Sequence, residues 1–180
     1  MDTISGWHGD HMRFTRLLDS LEHEMTAFDA GEEPNYELMR DVLYYLHHFA
    51  DRNHHPREDA AFERLALRDP GFRVRVNRLR QEHRALALSG KSLLKLLEEK
   101  VEGAGTDPAI IEAAAALYLG YFRHHLDAEE DEVLPRAAKI LTPEDWAAVA
   151  AVLPAIPDPL SGEDVTARYR SLREWVRQRA

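Results

Sequence analysis

The stretch around which the chain is organised is residues 118–139, YLGYFRHHLDAEEDEVLPRAAK. Within it, His125 and Glu129 are four residues apart, so in a helix both side chains lie on one face, about one turn from each other. An earlier stretch, HHPRE, places His54 four residues before Glu58 in the same way. Each stretch therefore predicts a helix that presents one imidazole and one carboxylate on the same face.

The repeat extends upstream of both stretches. His11 stands in the dipeptide DH, 43 residues before His54. His83 stands in the dipeptide EH, 42 residues before His125. Histidines and glutamates that recur at matched spacing indicate the ligands of a two-metal centre. The predicted metal ligands are His11, His54, Glu58, His83, His125 and Glu129.

A structural polar layer is the alternative to a metal centre. A single histidine on the inner face of a helix is more often a hydrogen-bonded core residue than a ligand. Here, however, a buried glutamate is costly unless it is paired or bound to a cation, and two converging carboxylates repel each other. A pair of metal ions is the simplest remedy, so the repeated pattern favours the metal centre.

The residue types restrict the metal. Imidazole and carboxylate without sulfur suit iron, manganese or zinc. The chain has no cysteine, which excludes thiolate zinc sites, cysteine-held iron–sulfur clusters, covalent c-type haem and a disulfide scaffold. The ferritin-like di-iron plan needs Glu-x-x-His twice, whereas the nearest match here is Asp51 before His54, so that plan is disfavoured.

Apolar residues recur every three to four positions along four long segments, which is typical of helices that each bury one narrow face. The predicted helices cover approximately residues 7–30, 35–67, 70–102 and 108–140. Short turns separate them, so neighbouring helices run in opposite directions. The sequence therefore predicts an all-α, antiparallel, up-down-up-down four-helix bundle with two additional C-terminal helices.

The inner faces of these helices are predicted residue by residue. The third helix has the clearest one, formed by Val76, Leu79, His83, Leu86, Gly90, Leu93 and Leu97. The fourth is predicted to turn inward Leu117, Tyr118, Tyr121, Phe122, His125, Glu129, Val133, Arg136 and Ile140. Pro56 lies inside the second helix, where its missing N–H predicts a kink or a loosened turn near residues 52–55.

The C-terminal part of the chain is predicted to form a separate unit. Thr142 is expected to cap a short helix that runs to about Leu153, and a Pro-rich link then leads past residues 161–164 to a last helix. We expect residues 1–141 to form the bundle and residues 142–180 to form a helical extension. This extension would pack on the bundle or at the interface of a homodimer.

Composition excludes several classes of protein. A formal net charge of −9 argues against nucleic-acid binding, which needs a basic surface. No run of about 18 apolar residues predicts a membrane span, and the first residues show neither the basic nor the apolar part of a signal peptide. The absence of cysteine fits a reducing cytoplasm, where we expect the protein to reside.

The combined pattern resembles the hemerythrin-like (HHE cation-binding) domain family. The segments HHPRED at 54–59 and EEDEVLP at 129–135 are similar to the most characteristic segments of that family, and the resemblance covers residues 7–141. The resemblance implies a non-haem di-iron centre inside a four-helix bundle, with an oxo or hydroxo bridge between the irons. Glu58 and Glu129 would bridge them, and the histidines would be divided between them. Manganese or zinc remains an alternative.

The chain departs from the oxygen-carrying hemerythrins. Those proteins carry His-x-x-x-His on the third helix, whereas His83 is followed four residues later by Ala87, and they end with His-x-x-x-x-Asp. Two octahedral irons offer about twelve positions, of which four histidines, two bridging glutamates and one bridging oxygen fill about ten. A more open centre suits peroxide, nitric oxide or iron release better than reversible oxygen carriage.

Four further residues are expected in a second shell or in the pocket. His47 and Tyr118 precede ligands by seven residues and face the same stripe, although core packing is an alternative, above all for Tyr118. His55 and Glu130 adjoin ligands in sequence but point about 100° away, so surface exposure is expected. Either of them could still replace a missing ligand.

The leading functional hypothesis is a di-iron protein that binds, senses or processes oxygen, nitric oxide or peroxide. If it is an enzyme, it would be a di-iron oxidoreductase that consumes peroxide or oxygen, because no general base stands out. One alternative is storage or donation of iron under oxidative or nitrosative stress. Another is a redox-responsive regulatory module whose C-terminal helices bind a partner.

Overall fold

The computed structural model of the protein describes residues 3–160 and 167–178. The α-helices in these two ranges are α1 (Thr3–Asp29), α2 (Tyr36–Tyr45), α3 (His55–Arg68), α4 (Arg73–Val101), α5 (Pro108–Ala128), α6 (Leu134–Ile140), α7 (Pro143–Val152) and α8 (Ala167–Gln178). No strand occurs in them, which confirms the predicted all-α class. The start of the last helix was expected just beyond residues 161–164, and residues 161–166 lie outside the described part of the chain.

Two of the long helices are continuous but change their winding. A π-helical segment, Leu46–His54, joins α2 to α3, and a shorter one, Glu129–Val133, joins α5 to α6. A proline follows each segment, at Pro56 and Pro135, and its ring would clash with the carbonyl four residues earlier. A wider turn relieves this clash. The loosening predicted near residues 52–55 is therefore present, as a π turn.

Local chemistry fixes where the helices begin and end. The Asn35 side chain accepts a hydrogen bond from the N–H of Leu38 at 3.0 Å and caps α2, and Asp107 caps α5 just before a proline. Gly31 and Gly103 follow α1 and α4 with φ of 77° and 84°, a conformation that other residues rarely adopt. The next helix begins five residues after each of these glycines.

The interior consists of two apolar clusters. Along the sequence, the buried histidines and glutamates fall between members of one cluster and members of the other. α1 packs against α5, and α4 packs against α2, α3 and α5. The larger cluster includes Phe14, Leu18, Leu43, Leu86, Leu93, Tyr118 and Phe122. The smaller cluster includes Trp7, Phe62, Leu65, Leu79, Val133 and Leu134. Burial of this apolar surface is the main force that holds the helices together.

The predicted inner face of the third helix is buried at every position. The prediction for the fourth helix was wrong at Leu117 and Tyr121, whose side chains are 69% and 41% exposed. Tyr118 and Phe122, their immediate neighbours, are buried instead. Adjacent residues of a helix diverge by about 100°, so an apolar pair such as these cannot turn inward together.

The C-terminal helices contact the rest of the protein. α7 packs on α3, where the buried Asp145 accepts hydrogen bonds from Arg64 and Arg68. α8 packs on α2 through Tyr169 and Leu172, which join the larger apolar cluster. The placement of the domain boundary at residue 141 remains a prediction. Among the described residues, every helix is too short or too polar to cross a lipid bilayer.

Candidate metal centre

The six predicted ligands meet between the two apolar clusters, and all of them are buried. His54 and His11 approach Glu58 with Nε2–Oε1 distances of 3.2 Å each. On the other side, Glu129 lies 3.1 Å from Nε2 of His83 and 3.3 Å from Nε2 of His125. The sequence prediction that these side chains converge on one point therefore agrees with the geometry.

The two glutamates occupy the middle of the group. Besides its own pair of histidines, Glu58 lies 3.7 Å from Nε2 of His83, and Glu129 lies 3.6 Å from Nε2 of His11. Each carboxylate thus faces both sets of imidazoles. This position suits a carboxylate that bridges two cations rather than one that binds a single ion.

His55 differs from its prediction. Surface exposure was expected, but the side chain is buried and its ring stacks on that of His83, with centroids 4.3 Å apart. Its nitrogens lie within reach of those of His83 and His125, and the three form a group that could hold a metal ion. The structure therefore adds a fifth histidine to the centre.

The geometry of the helix explains why the prediction for His55 failed. His54 precedes Glu58 by four residues and His55 precedes it by three, so both rings lie one turn before the carboxylate and flank it. His54 points to the side of His11, and His55 points to the side of His83. The dipeptide His54-His55 one turn before a buried glutamate was the available signal, together with the missing second histidine on the third helix.

Carboxylates orient the histidines of each repeat from behind. Nδ1 of His54 donates to Asp10 at 3.0 Å, and Nδ1 of His125 donates to Glu82 at 3.2 Å. Asp10 and Glu82 are the acids of the two acid–His dipeptides. Each accepts its hydrogen bond from the other histidine of its own repeat, not from the histidine next to it in sequence. These bonds fix the tautomer that leaves Nε2 facing the centre.

A second pair of carboxylates links the repeats to each other. Nδ1 of His11 donates to Glu130 at 2.7 Å, and Nδ1 of His83 donates to Asp59 at 2.9 Å. Both acids directly follow a central glutamate in sequence. Glu130, for which surface exposure was expected, is half-buried and also accepts from the exposed His8 at 3.1 Å. Sequence reasoning gave no role to Asp10, Asp59 and Glu82.

The electrostatics of the centre favour a bound cation. Burial alone would lower the pKa of His11, but the hydrogen bond to Glu130 and the close carboxylate of Glu58 raise it to about 10. Burial alone would likewise lower the pKa of His83, and its bonds to Asp59 and Glu129 raise it to about 10. The carboxylates would thus hold protons on these imidazoles, and a metal ion is the natural replacement for those protons.

Several atoms at the centre have no hydrogen-bond partner despite full burial. They are both carboxylate oxygens of Glu58, Oε2 of Glu129, Nε2 of His125 and both ring nitrogens of His55. Burial and the nearby charges of His83 and His125 lower the pKa of His55 well below its ordinary value, so this ring is neutral. Unpaired buried donors and acceptors are costly, and a metal ion would satisfy them. The residues therefore fit a metal centre.

His47 and Tyr118 are not part of the ligand group itself. His47 is half-buried and bonds to one oxygen of Asp51 at 3.1 Å, and the other oxygen of Asp51 lies 3.3 Å from Nδ1 of His55. Tyr118 is buried in the larger apolar cluster, and its ring packs so closely on Gly90 that a Cβ there would lie 3.0 Å from Cε2. His47 is not among the grouped metal-binding atoms of the described residues, and core packing accounts for Tyr118.

An aromatic wall closes one side of the centre. The ring of Phe14 stands edge-on to that of His54, with centroids 5.0 Å apart. Trp7 stands edge-on to the same histidine at 6.2 Å and to Trp146 of α7 at 5.7 Å. These rings separate the imidazoles of α1 and the π segment from bulk water.

Comparison with known proteins identifies a family. The family model described as the hemerythrin HHE cation binding domain matches residues 2–137. That range contains all seven buried histidines and glutamates of the centre and excludes α7 and α8. No curated protein and no solved structure matches the chain.

Proposed function

Because the chain belongs to the hemerythrin HHE cation-binding family, we propose that it is a non-haem di-iron protein that binds or processes oxygen, nitric oxide or peroxide. The iron pair would sit inside an antiparallel four-helix bundle and supply a redox centre with a position for a small ligand. The observation that carries the proposal is the convergence of five buried histidines and two buried glutamates from four segments of the chain, with several of their nitrogen and oxygen atoms lacking a hydrogen-bond partner.

The contacts support a division of ligands. His11 and His54, whose Nε2 atoms are 2.9 Å apart, would hold one iron. The group of His55, His83 and His125 would hold the other. Glu58 and Glu129 face both groups and would bridge the two ions. Hereafter we call the first the two-histidine position and the second the three-histidine position.

The fifth histidine changes the expected number of open coordination sites. Of about twelve positions on two octahedral ions, five histidines, two bridging glutamates and one oxo or hydroxo bridge fill about eleven. About one position remains, on the two-histidine side, against about two in the sequence prediction. A single protected position suits binding of one small ligand better than the open centre expected from four histidines.

The surrounding residues would control how that ligand reacts. Phe14 and the apolar cluster next to it exclude water from the two-histidine side, which limits loss of protons and hydrolysis at the centre. The carboxylates behind the imidazoles hold each Nδ1 proton, so the ligand nitrogens keep their orientation. The buried carboxylate of Asp51 lies behind His55, with Oδ1 3.3 Å from Nδ1 of the ring. The chemistry would depend on the metal rather than on proton transfer by side chains.

The test is metal content and an optical spectrum of the purified protein after anaerobic loading with iron. We expect two irons per chain and near-ultraviolet bands of an oxo-bridged pair after oxidation. A chain that binds less than one iron, or that binds iron without those bands, would contradict the proposal. Addition of oxygen to the reduced protein then separates a stable adduct from turnover of peroxide and from release of iron, which would indicate iron donation.

A further inference from the structure

Asp158, in the segment that follows α7, is a buried carboxylate outside the region matched by the family model. It accepts hydrogen bonds from the hydroxyl of Tyr45 at 3.0 Å and from the N–H of Leu160 at 2.8 Å. Its second oxygen lies 2.8 Å from Nη1 of Arg13 on α1. The segment 154–160 is thus tied to the interior of the protein by charge as well as by packing.

Arg13 connects Asp158 to the candidate metal centre. The same Nη1 atom donates to Asp10 at 2.9 Å, and the other oxygen of Asp10 accepts from Nδ1 of His54 at 3.0 Å. Four side chains therefore form a continuous chain of polar contacts from the C-terminal segment to a histidine of the two-histidine position. Because Asp158 is buried, its charge needs Arg13 as a partner, and Arg13 is held in place in return.

The equivalent position in the second repeat has no such anchor. Glu82, which holds His125, accepts from Nε of Arg78 at 2.8 Å. The side chain of Arg78 is 65% exposed, and its other contact is the exposed His124. Arg78, Glu82 and His124 line a surface cavity of about 330 Å³. Within residues 3–160 and 167–178, no carboxylate plays the part of Asp158 there.

We propose that residues 154–160, through Asp158 and Arg13, hold Asp10 on His54 and thereby make the metal at the two-histidine position harder to remove than it would be in the bundle alone. Asp158 and Arg13 are positioning residues, because neither touches the centre. The inference rests on the proposed function, since it needs a pair of bound metals. It assigns to the C-terminal segment a role in metal retention.

The test compares loss of iron to a chelator in the full-length, iron-loaded protein and in two variants, Asp158→Asn and Arg13→Gln. Loss of a carboxylate behind a metal-bound histidine typically weakens binding by 10–100-fold, so for these indirect contacts we expect one of the two irons to leave about tenfold faster. Mössbauer spectra of partly depleted samples identify which iron environment has been lost. Asp158→Glu should restore much of the retention.

Two controls separate this effect from general loosening. Asp145→Asn breaks the contacts of α7 with Arg64 and Arg68 but leaves Asp158 in place, and should release both irons at the wild-type rate. Arg78→Gln disturbs the equivalent contact of the other repeat and should accelerate loss of the iron at the three-histidine position instead. If Asp158→Asn does not fold, Arg13→Gln changes a more exposed side chain and decides the question alone.

The outcomes distinguish the inference from the proposed function. Faster loss of one and the same iron in Asp158→Asn and Arg13→Gln supports the inference if Arg78→Gln accelerates loss of the other iron, and faster loss of the iron that Arg78→Gln affects would overturn it. A wild-type protein that binds two irons, with variants that lose both at unchanged or equally increased rates, would overturn the inference and leave the proposed function intact. A wild-type protein that binds no metal pair would overturn both.

Discussion

The first repeat, residues 10–59, and the second, residues 82–130, supply the centre with the same parts in the same order. They differ at the position after the histidine that precedes the central glutamate, which is His55 in the first and Leu126 in the second. Leu126 is buried in the larger apolar cluster, whereas His55 reaches the imidazoles of the other repeat. This one difference between the repeats turns a symmetric set of four histidines into a group of two and a group of three.

The repeats also differ in what covers them. The acid behind His54 is anchored through Arg13 to the C-terminal segment, while the acid behind His125 is held by an exposed arginine beside a cavity. The two repeats can therefore hold their metal ions with unequal affinity. Variants in both repeats test whether the two halves act independently.

Removal of a central glutamate should abolish metal binding at both positions together. Glu58→Ala and Glu129→Ala each delete a carboxylate that faces both sets of histidines, so we expect less than about half an iron per chain by elemental analysis, against two in the wild type. Glu63→Ala, an exposed glutamate on the same helix, is the control and should keep two. Retention of two irons in Glu58→Ala would rule out a bridging role for this residue.

His55→Leu converts the first repeat to the pattern of the second. We expect the three-histidine position to lose metal affinity by about 100-fold, while the other iron is retained, as measured by chelator competition. His23→Leu, on the exposed face of α1, is the control and should leave both affinities unchanged. Equal loss of both irons would contradict the division of ligands.

The acids behind the histidines should act one repeat at a time. Asp10→Asn and Glu82→Gln each weaken one hydrogen bond to Nδ1, so each should lower the affinity for one iron by about tenfold in the same competition measurement. The two variants should affect different irons, as judged by Mössbauer spectra. If both weaken the same iron, the halves are not independent.

The smallest effect concerns pH and the anchor of α7. Burial alone would raise the pKa of Asp145, but the hydrogen bonds from Arg68 and Thr142 lower it to about 2, from an ordinary value of 3.8. A depressed pKa stabilises the folded state above pH 3.8, and this contribution is lost as the pH falls through about 2. The difference in urea midpoint between wild type and Asp145→Asn should therefore shrink by roughly half between pH 7 and pH 3. A constant difference would show that the charge of Asp145 is not involved.

The sequence was sufficient for the features that depend on regular helical spacing. A period of three to four residues correctly placed Leu79, His83 and Leu86 on one buried face of α4. The same rule, applied to both His-x-x-x-Glu pairs and the two upstream histidines, brought together the six side chains that meet in the structure. An internal repeat strengthened the prediction because each half supported the other.

The sequence was insufficient where distant partners decide the outcome. The three-residue spacing from His55 to Glu58 allows the His55 ring to flank the carboxylate, but its position against the ring of His83 depends on another helix. The partners of His54 and His11 are the acids at positions 10 and 130, which are 44 and 119 residues away in sequence. Such pairs follow from how helices are arranged in space, which periodicity within one helix does not specify.

Trp7 gives the arrangement a practical consequence. Its indole is 1% exposed and lies 6.2 Å from an imidazole of the centre and 5.7 Å from the indole of α7. An iron ion held by that imidazole would quench the excited state of the indole, so filling of the two-histidine position and undocking of α7 would each alter ultraviolet emission without any added dye. Trp7 would then act as an internal fluorescent reporter of bound metal.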